Sequence, residues 1–325
     1  MSVHTPVMPT QVIQVLDIRP DSTVIDCTLG EGGHASLFLR IIREGKLFGI
    51  EQDADILEVA RERLKEYGDR FVPVHGNFSD VGEIVRDRVH SKADGIFFDL
   101  GISMYHIKES GRGFSFSREE PLDMRLDPSR GISAADVING FSRKKLSEII
   151  WAYGEERFSG RIALSIVEER KKNPVTTSTQ LADIVKRAVP RKFWPHRIHP
   201  ATKTFQAIRI FVNDEIEILE NALRDAVEVL KPGGRICVIS FHSLEDRIVK
   251  SVFNDLGKGC HCPPDFPVCV CGGKKVVRVL TRKPSQPDEE EALRNPASRS
   301  ARLRCAVKLN GTIQKNKKEE MRYSA

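Results

Sequence analysis

The stretch from Thr23 to Glu51 constrains the fold more than any other part of the 325-residue chain. Val24-Ile25-Asp26-Cys27 reads as a short buried strand, and Thr28-Leu29-Gly30-Glu31-Gly32-Gly33-His34 as a glycine-rich turn. Ala35 to Arg43 reads as a helix with Leu37, Leu39, Ile41 and Ile42 as its apolar positions. Leu47-Phe48-Gly49-Ile50 is then a second strand, closing on Glu51. Strand, glycine turn, helix, strand and terminal acid make a βαβ unit suited to a nucleoside. The glycines let the backbone approach a ligand where a Cβ would clash, and Glu51 is placed to accept both hydrogen bonds of a ribose diol. The competing reading is a turn that only punctuates the chain.

The turn lacks the third glycine of the strict G-x-G-x-x-G pattern, which weakens a dinucleotide without separating NAD from S-adenosylmethionine. Later strands add to the case. Phe71-Val72-Pro73-Val74 exits through Gly76-Asn77-Phe78-Ser79-Asp80, where Ser79 or Asp80 can cap a helix running to about Val89. Ile96-Phe97-Phe98 ends in Asp99-Leu100-Gly101-Ile102-Ser103. Ligands of open α/β sheets lie outside the carboxyl ends of the strands. Asp26, Glu51, Phe78 and Asp99 all fall at or just after such ends, with Phe78 either against an adenine or in the core. At the start of the chain, His4 to Met8 leads into a helix from Pro9 to Leu16, either as an arm beside the cofactor or as an irregular lead-in.

From Tyr105 to about His199 no strand is apparent. A polar and aromatic loop precedes three helices, Ser142 to Gly154, Ser159 to Lys172 and Ser178 to Val189, as expected of a substrate lid inserted between strands four and five. From Gly140 to Arg209 there are 15 Lys and Arg against 6 Asp and Glu, an excess above the whole-chain net charge of +6. The run is interleaved with Trp151, Tyr153, Phe158, Phe193 and Trp194, which points to a polyanion as readily as to a solvated surface. The sheet is expected to resume after one long helix from Pro200 to Leu230, stopped by Lys231-Pro232-Gly233-Gly234. A fifth strand over Arg235–Ser240 and an edge hairpin of Val276–Leu280 with Leu303–Leu309 complete it. The chain is 40% hydrophobic and 30% charged, with no apolar run fit to span a bilayer and no signal-like N-terminus, so a cytoplasmic protein is expected. Cys260, Cys262, Cys269 and Cys271 form paired C-x-C elements that could hold a structural zinc ion or stay a reduced surface loop.

With these residues in place, the chain resembles the ribosomal RNA small subunit methyltransferase H family, the MraW proteins, from about His4 to Lys308. The matching stretches are Asp26 to His34, Asp99 to Ser103, Arg112 to Phe116, Pro121 to Arg125, Tyr153 to Phe158, His199 to Ala207 and Ser240 to Arg247. The resemblance implies an α/β, Rossmann-like class I S-adenosylmethionine-dependent methyltransferase sheet over 1–104 and 200–310. An all-helical substrate domain would occupy 105–199, and the polar residues from about Thr312 read as a disordered tail, 311–325. It implies methyl transfer to the N4 amine of a cytidine in the decoding region of small-subunit (16S) rRNA, as part of an assembled or assembling 30S subunit. Carried over by position, the cofactor contacts are Gly32, Gly33, His34, Glu51, Phe78, Asp99 and His106, with Asp99 also the candidate catalytic residue. The family commonly has Asp where Glu51 stands and Ser-Ser-x-Gln where this chain has Ser103-Met104-Tyr105-His106. An NAD oxidoreductase, a DNA amino-methyltransferase and a non-catalytic RNA-binding module are the rival classes. The second usually carries an Asp/Asn-Pro-Pro-Tyr/Phe motif, which Asp99-Leu100-Gly101-Ile102 is not.

Overall fold

The computed structural model describes residues 6–195, 198–260, 262, 268 and 270–310. His4, Thr5, Cys269 and the stretch from 311 read as a tail lie outside the described residues. The chain forms two compact units, one from residues up to Gly101 and from Ile218 onward, the other from Ile102 to Glu217.

The first unit is a seven-stranded sheet. Its strands are β1 (Thr23–Asp26), β2 (Lys46–Glu51), β3 (Phe71–His75), β4 (Ala93–Asp99), β5 (Leu230–Ser240), β6 (Val277–Val279) and β7 (Arg302–Lys308), in the order β3-β2-β1-β4-β5-β7-β6. The first five pair in parallel; β7 runs antiparallel to β5, and β6 antiparallel to β7. The expected edge hairpin is therefore present. Parallel strands are covered on both faces and read as near-continuous apolar runs, as in Ile96, Phe97 and Phe98, all fully buried. One face packs on helices Leu219–Val229 and Ser243–Lys258, the other on Pro9–Leu16, Gly33–Ile41 and Ala54–Leu64. Leu219, Ala222, Leu223, Ala226 and Val227 recur at helical spacing and are all buried. Each leucine or valine so buried stabilises the fold by about 1.5–3 kcal/mol. In the helix after the glycine turn, Phe38 rather than Leu37 points into the core.

Three expectations need correction. The segment 200–230 is two helices, Thr202–Val212 and Leu219–Val229, because Asp214 takes the left-handed conformation (φ 51°) between them. Lys231-Pro232-Gly233-Gly234 does not end before the strand but belongs to β5, which bulges against β4 between Ala93 and Gly95. A Cβ on Gly234 would lie 3.0 Å from the Asp94 carbonyl oxygen and 3.1 Å from that of Ala93, so only glycine lets the strands close there. After β3 the expected single helix is a 3₁₀ turn (Phe78–Asp80), one α-turn (Val81–Ile84) and a π-turn (Val85–Val89). Its cap is the Asn77 side chain, which accepts from the Ser79 N–H at 2.9 Å.

The second unit is helical around its own core. Helices Arg143–Gly154, Ser159–Arg170 and Ser178–Ala188 match the sequence expectation, and a shorter helix, Ala134–Gly140, was not foreseen. Ser133, Ser142 and Thr177 cap their helices, each accepting a backbone N–H. Thr202–Val212 packs against Arg143–Gly154 within this unit, so the return to the sheet falls at Ile218 rather than at residue 200. Gly154 allows that approach: a Cβ there would lie 2.6 Å from the Lys203 carbonyl oxygen. Two of the resembling stretches interlock in the loop ahead of the helices. The Arg112 guanidinium donates to the carbonyls of Arg125 and Leu126, both at 3.0 Å, and Met124 N–H donates to the Arg112 carbonyl at 2.8 Å. No helix among the described residues is long and apolar enough to cross a membrane.

Candidate functional site

Three parallel strands, β1, β2 and β4, each end on a carboxylate: Asp26, Glu51 and Asp99. The glycine turn is threaded between them. Cys27 N–H donates to the Phe97 carbonyl at 2.8 Å and Leu29 N–H to that of Ile50 at 2.9 Å, continuing the ladder into the turn. Gly30 (φ 51°) and Gly32 (φ 78°) then reverse the chain in the left-handed region. A Cβ on Gly32 would lie 2.8 Å from Leu64 Cδ1, and one on Gly33 would lie 3.2 Å from Pro6 Cγ.

Each acid has a defined setting. Glu51 accepts the Gly30 N–H on Oε2 and the Asp53 N–H on Oε1, both at 2.9 Å, so its plane is fixed. Asp26 is 1% exposed and accepts the Thr28 N–H at 3.2 Å. Thr28 Oγ1 in turn receives the Asp99 N–H at 2.6 Å. The Asp99 side chain keeps 23% of its surface accessible, yet its Oδ1 is buried and has no hydrogen-bond partner among the described residues. Oδ2 lies 3.5 Å from Nδ1 of His34, whose Nε2 is 2.9 Å from the Val7 carbonyl. His34 also lies against Phe97, ring centroids 4.6 Å apart. The N-terminal arm thus packs beside the turn, with Val7 and Met8 buried.

Crowding these carboxylates out of water raises their proton affinity. Burial, with repulsion from Glu51, pushes Asp26 up to about 7 against the relief of the Thr28 N–H. Burial, with repulsion from Asp53, brings Glu51 to about 7 despite its backbone donors. Asp99 is raised well above its ordinary value by burial, then by Asp26 and Glu245. A cation at this rim would relieve all three, and an anion would be repelled. S-adenosylmethionine, with its sulfonium and ammonium groups, fits that field and the orphaned Oδ1; the pyrophosphate of NAD does not.

Asp26, expected at a strand end though not as a cofactor contact, bears on Asp99 together with Glu245, which was not expected at the rim. Glu245 reaches the rim because it closes a capping box, accepting the N–H groups of Phe241 (2.8 Å) and His242 (3.2 Å) after β5. The spacing of His242 and Glu245 before an apolar helix was the available signal. Phe78 is half-buried and meets Phe98 edge to face at 5.9 Å, so it belongs partly to the core. Beside it, Asn77 Nδ2 donates to Gln52 Oε1 at 2.7 Å. His106 lies in the helical unit, 4% exposed, where its Nδ1 accepts the Ser103 N–H at 3.2 Å in a capping box and its ring lies 5.0 Å from Phe114.

Away from the rim, the Sγ atoms of Cys260, Cys262 and Cys271 lie within 4.8 Å of one another. The Cys260–Cys271 separation of 3.8 Å is the edge of a tetrahedron with Zn–S bonds of about 2.3 Å. Val270 N–H donates to Cys262 Sγ and Gly273 N–H to Cys271 Sγ, both at 3.4 Å, the kind of donor that steadies a thiolate ligand. The fourth expected ligand, Cys269, lies outside the described residues.

Comparison with known proteins agrees with the site. The model of the MraW methylase family matches residues 1–309. The chain is 49% identical to the ribosomal RNA small subunit methyltransferase H of Brevibacillus brevis, over 94% of this chain and 98% of that protein. It is 48% identical to the protein of the same name in Geobacter sulfurreducens, over 94% and 99%. For the one from Finegoldia magna the identity is 42%, over 94% and 98%. With a Rossmann-like sheet, a helical insertion and an acidic rim suited to a sulfonium cofactor, the chain belongs to the MraW methylase family.

Proposed function

We propose that this chain transfers the methyl group of S-adenosylmethionine to the N4 amine of a cytidine in small-subunit rRNA, within an assembled or assembling 30S subunit. The observation that carries the reading is the buried, unpartnered Oδ1 of Asp99 inside a rim of carboxylates. When bound, the cofactor supplies a methyl already made electrophilic by a positive sulfur, so the protein's task is orientation. Glu51, with one backbone donor on each oxygen, has lone pairs left for the two ribose hydroxyls. Gly32 and Gly33, which make room for Leu64 and Pro6, hold the turn backbone where its polar groups can meet the ligand, and the exposed edge of Phe78 borders the adenine. Asp99 holds the positive end of the cofactor, with His34 fixing its carboxylate. Carbonyls of the Asp99–Ser103 segment aim the cytosine amine, whose lone pair is delocalised and attacks poorly. Orientation of this kind contributes about 7–11 kcal/mol. His106 enters through the family resemblance; its Nδ1 serves the Ser103 cap, so contact with the cofactor would use the rest of the ring.

The test is incubation with methyl-labelled S-adenosylmethionine and either free rRNA or unmethylated small subunits. Label on a cytidine N4, abolished in Glu51→Ala, is expected; binding of RNA without label transfer would leave only a non-catalytic role.

We also propose that Cys260, Cys262, Cys269 and Cys271 hold one structural zinc ion. Purified protein is expected to contain about one equivalent, lost in Cys260→Ser/Cys271→Ser together with some thermal stability. Metal-free protein whose melting is indifferent to added zinc would refute the site.

A further inference from the structure

Four cations of the helical unit, Arg157, Lys186, Arg191 and Lys192, rest on the faces of Phe158, Phe193 and Trp194. Cζ of Arg157 is 4.7 Å from the centroid of Phe158 and 4.1 Å from that of Phe193, the two rings being 5.3 Å apart. Nζ of Lys192 is 5.0 Å from the Phe193 centroid. Lys186 and Arg191 lie 5.7 and 6.0 Å from the ring of Trp194, whose indole N–H donates to the Val189 carbonyl at 2.9 Å. All four cations are exposed, and Phe193 is 42% accessible despite its size.

Several exposed cations elsewhere in this chain sit beside acids one helical turn away, as Arg61 does with Glu58 and Arg294 with Glu290. Here that pattern stops. Among the described residues none of the four is ion-paired, and nearby Glu169 is taken by Lys172 and Arg187. Glu156 is buried and accepts the Phe158 N–H, while Asp183 bears on His199. An exposed cation–π contact contributes only about 0.5–1 kcal/mol, too little to account for gathering unneutralised charge. What it does is geometric. A ring covers the face of a guanidinium and leaves its N–H edge outward, the edge that grips a phosphate in bidentate fashion. It also orders long side chains in advance, removing part of the entropy cost of binding.

We propose that Arg157, Lys186, Arg191 and Lys192, held by Phe158, Phe193 and Trp194, form a binding surface for the sugar–phosphate backbone of the RNA substrate. This rests on the rRNA reading above and adds where, on the helical unit, the RNA is held. The test is anisotropy of a labelled small-subunit rRNA transcript titrated with full-length protein at several salt concentrations. For Arg157→Ala/Lys192→Ala the Kd is expected to rise about tenfold, and the slope of log K against log salt to fall by about 0.7–0.9 per lost contact. Arg157→Lys keeps the charge without the fork and should fall between. Unchanged affinity and salt slope in the double variant would overturn the surface, as would a wild-type protein that binds no RNA. Melting temperatures report folding, which exposed positions should not disturb. Label transfer is measured on the same samples. RNA binding by the wild type without transfer counts against the methyltransferase reading alone, and transfer with unchanged variants against this surface alone.

Discussion

Nδ1 of His34 faces Oδ2 of Asp99 at 3.5 Å while Nε2 lies 2.9 Å from the Val7 carbonyl, and this arrangement fixes where protons can be. A carbonyl only accepts, so Nε2 carries hydrogen. Nδ1 of the neutral ring then presents a lone pair to Oδ2, and the burial that raises the proton affinity of Asp99 also favours any cation placed beside it. Asp99→Asn keeps the shape and removes the negative charge. S-adenosylmethionine affinity at pH 8 is expected to fall about tenfold, or ~1.4 kcal/mol, by calorimetry. Intact affinity with slower transfer would move Asp99 from holding the cofactor to acting on the amine.

The rim should make the ligand-free protein less stable as it is titrated. Asp26 and Glu51 are raised from 3.8 and 4.5 to about 7 in the folded state. The unfolded chain therefore releases these protons first, and the stability they confer is complete below about pH 4 and lost as pH rises through 7. Asp26→Asn removes one such group while still accepting the Thr28 N–H. It is expected to melt a few degrees above the wild type at pH 8, on the order of 1 kcal/mol, with no advantage at pH 4. The same variant should bind S-adenosylmethionine more weakly, a trade of function for stability found at many sites. Equal melting temperatures at both pH values would show that Asp26 is ionised at no cost.

Gly32 and Gly68 separate conformation from contact. Both have positive φ, 78° and 55°, but a Cβ on Gly32 would strike buried Leu64 Cδ1 at 2.8 Å, whereas Gly68 has nothing within 4 Å. Alanine at Gly68 should cost only a backbone penalty, about 1–3 kcal/mol, since φ 55° with ψ −136° is a region that glycine almost alone adopts. Alanine at Gly32 should cost more and also weaken cofactor binding, because the turn backbone must shift. Comparable melting temperatures and comparable cofactor affinities for the two variants would remove the steric argument.

The parts of this site that a reader of the sequence could see are those set by strands. β1, β2 and β4 are unbroken apolar runs, so the residue where each run stops, Asp26, Glu51 or Asp99, is visible without coordinates. The parts that were hidden depend on groups far apart in sequence. Glu245 joins the rim only because β5 lies beside β4, with Asp99 opposite Ile239. The Gly233-Gly234 pair looks like a helix stop, yet the helix has already ended at Val229. The pair lies in the sheet instead, where the neighbouring carbonyls of Ala93 and Asp94 leave room for nothing larger than glycine at position 234. The aromatic seats of Arg157 and Lys192 could not be told from core positions, because helical spacing does not say which residues of a neighbouring turn cover them.

The break between Val212 and Leu219 is the largest departure from the apolar pattern of the sequence, and its cause is testable. Asn213 and Asp214 carry no proline or glycine warning, yet the Asn213 side chain does what a stop signal does. Its Nδ2 donates to the carbonyls of Met124 (2.8 Å) and Arg209 (2.9 Å), and its Oδ1 accepts the Leu126 N–H (2.8 Å). These bonds tie the helix end to the loop that Arg112 also clasps, and the Arg209–Glu215 pair, bidentate at 2.9 and 2.8 Å, closes the turn from the other side. Asp214 then bears the left-handed conformation that the tether imposes. Asn213→Ala leaves partly buried backbone groups without partners and is expected to destabilise the helical unit by about 1–3 kcal/mol. Asp214→Gly relieves φ without touching the tether and should stabilise by up to ~1 kcal/mol. Chemical denaturation of the two variants measures both. If Asn213→Ala were neutral, the tether would be incidental and the left-handed turn would have to be specified by Arg209 and Glu215 alone.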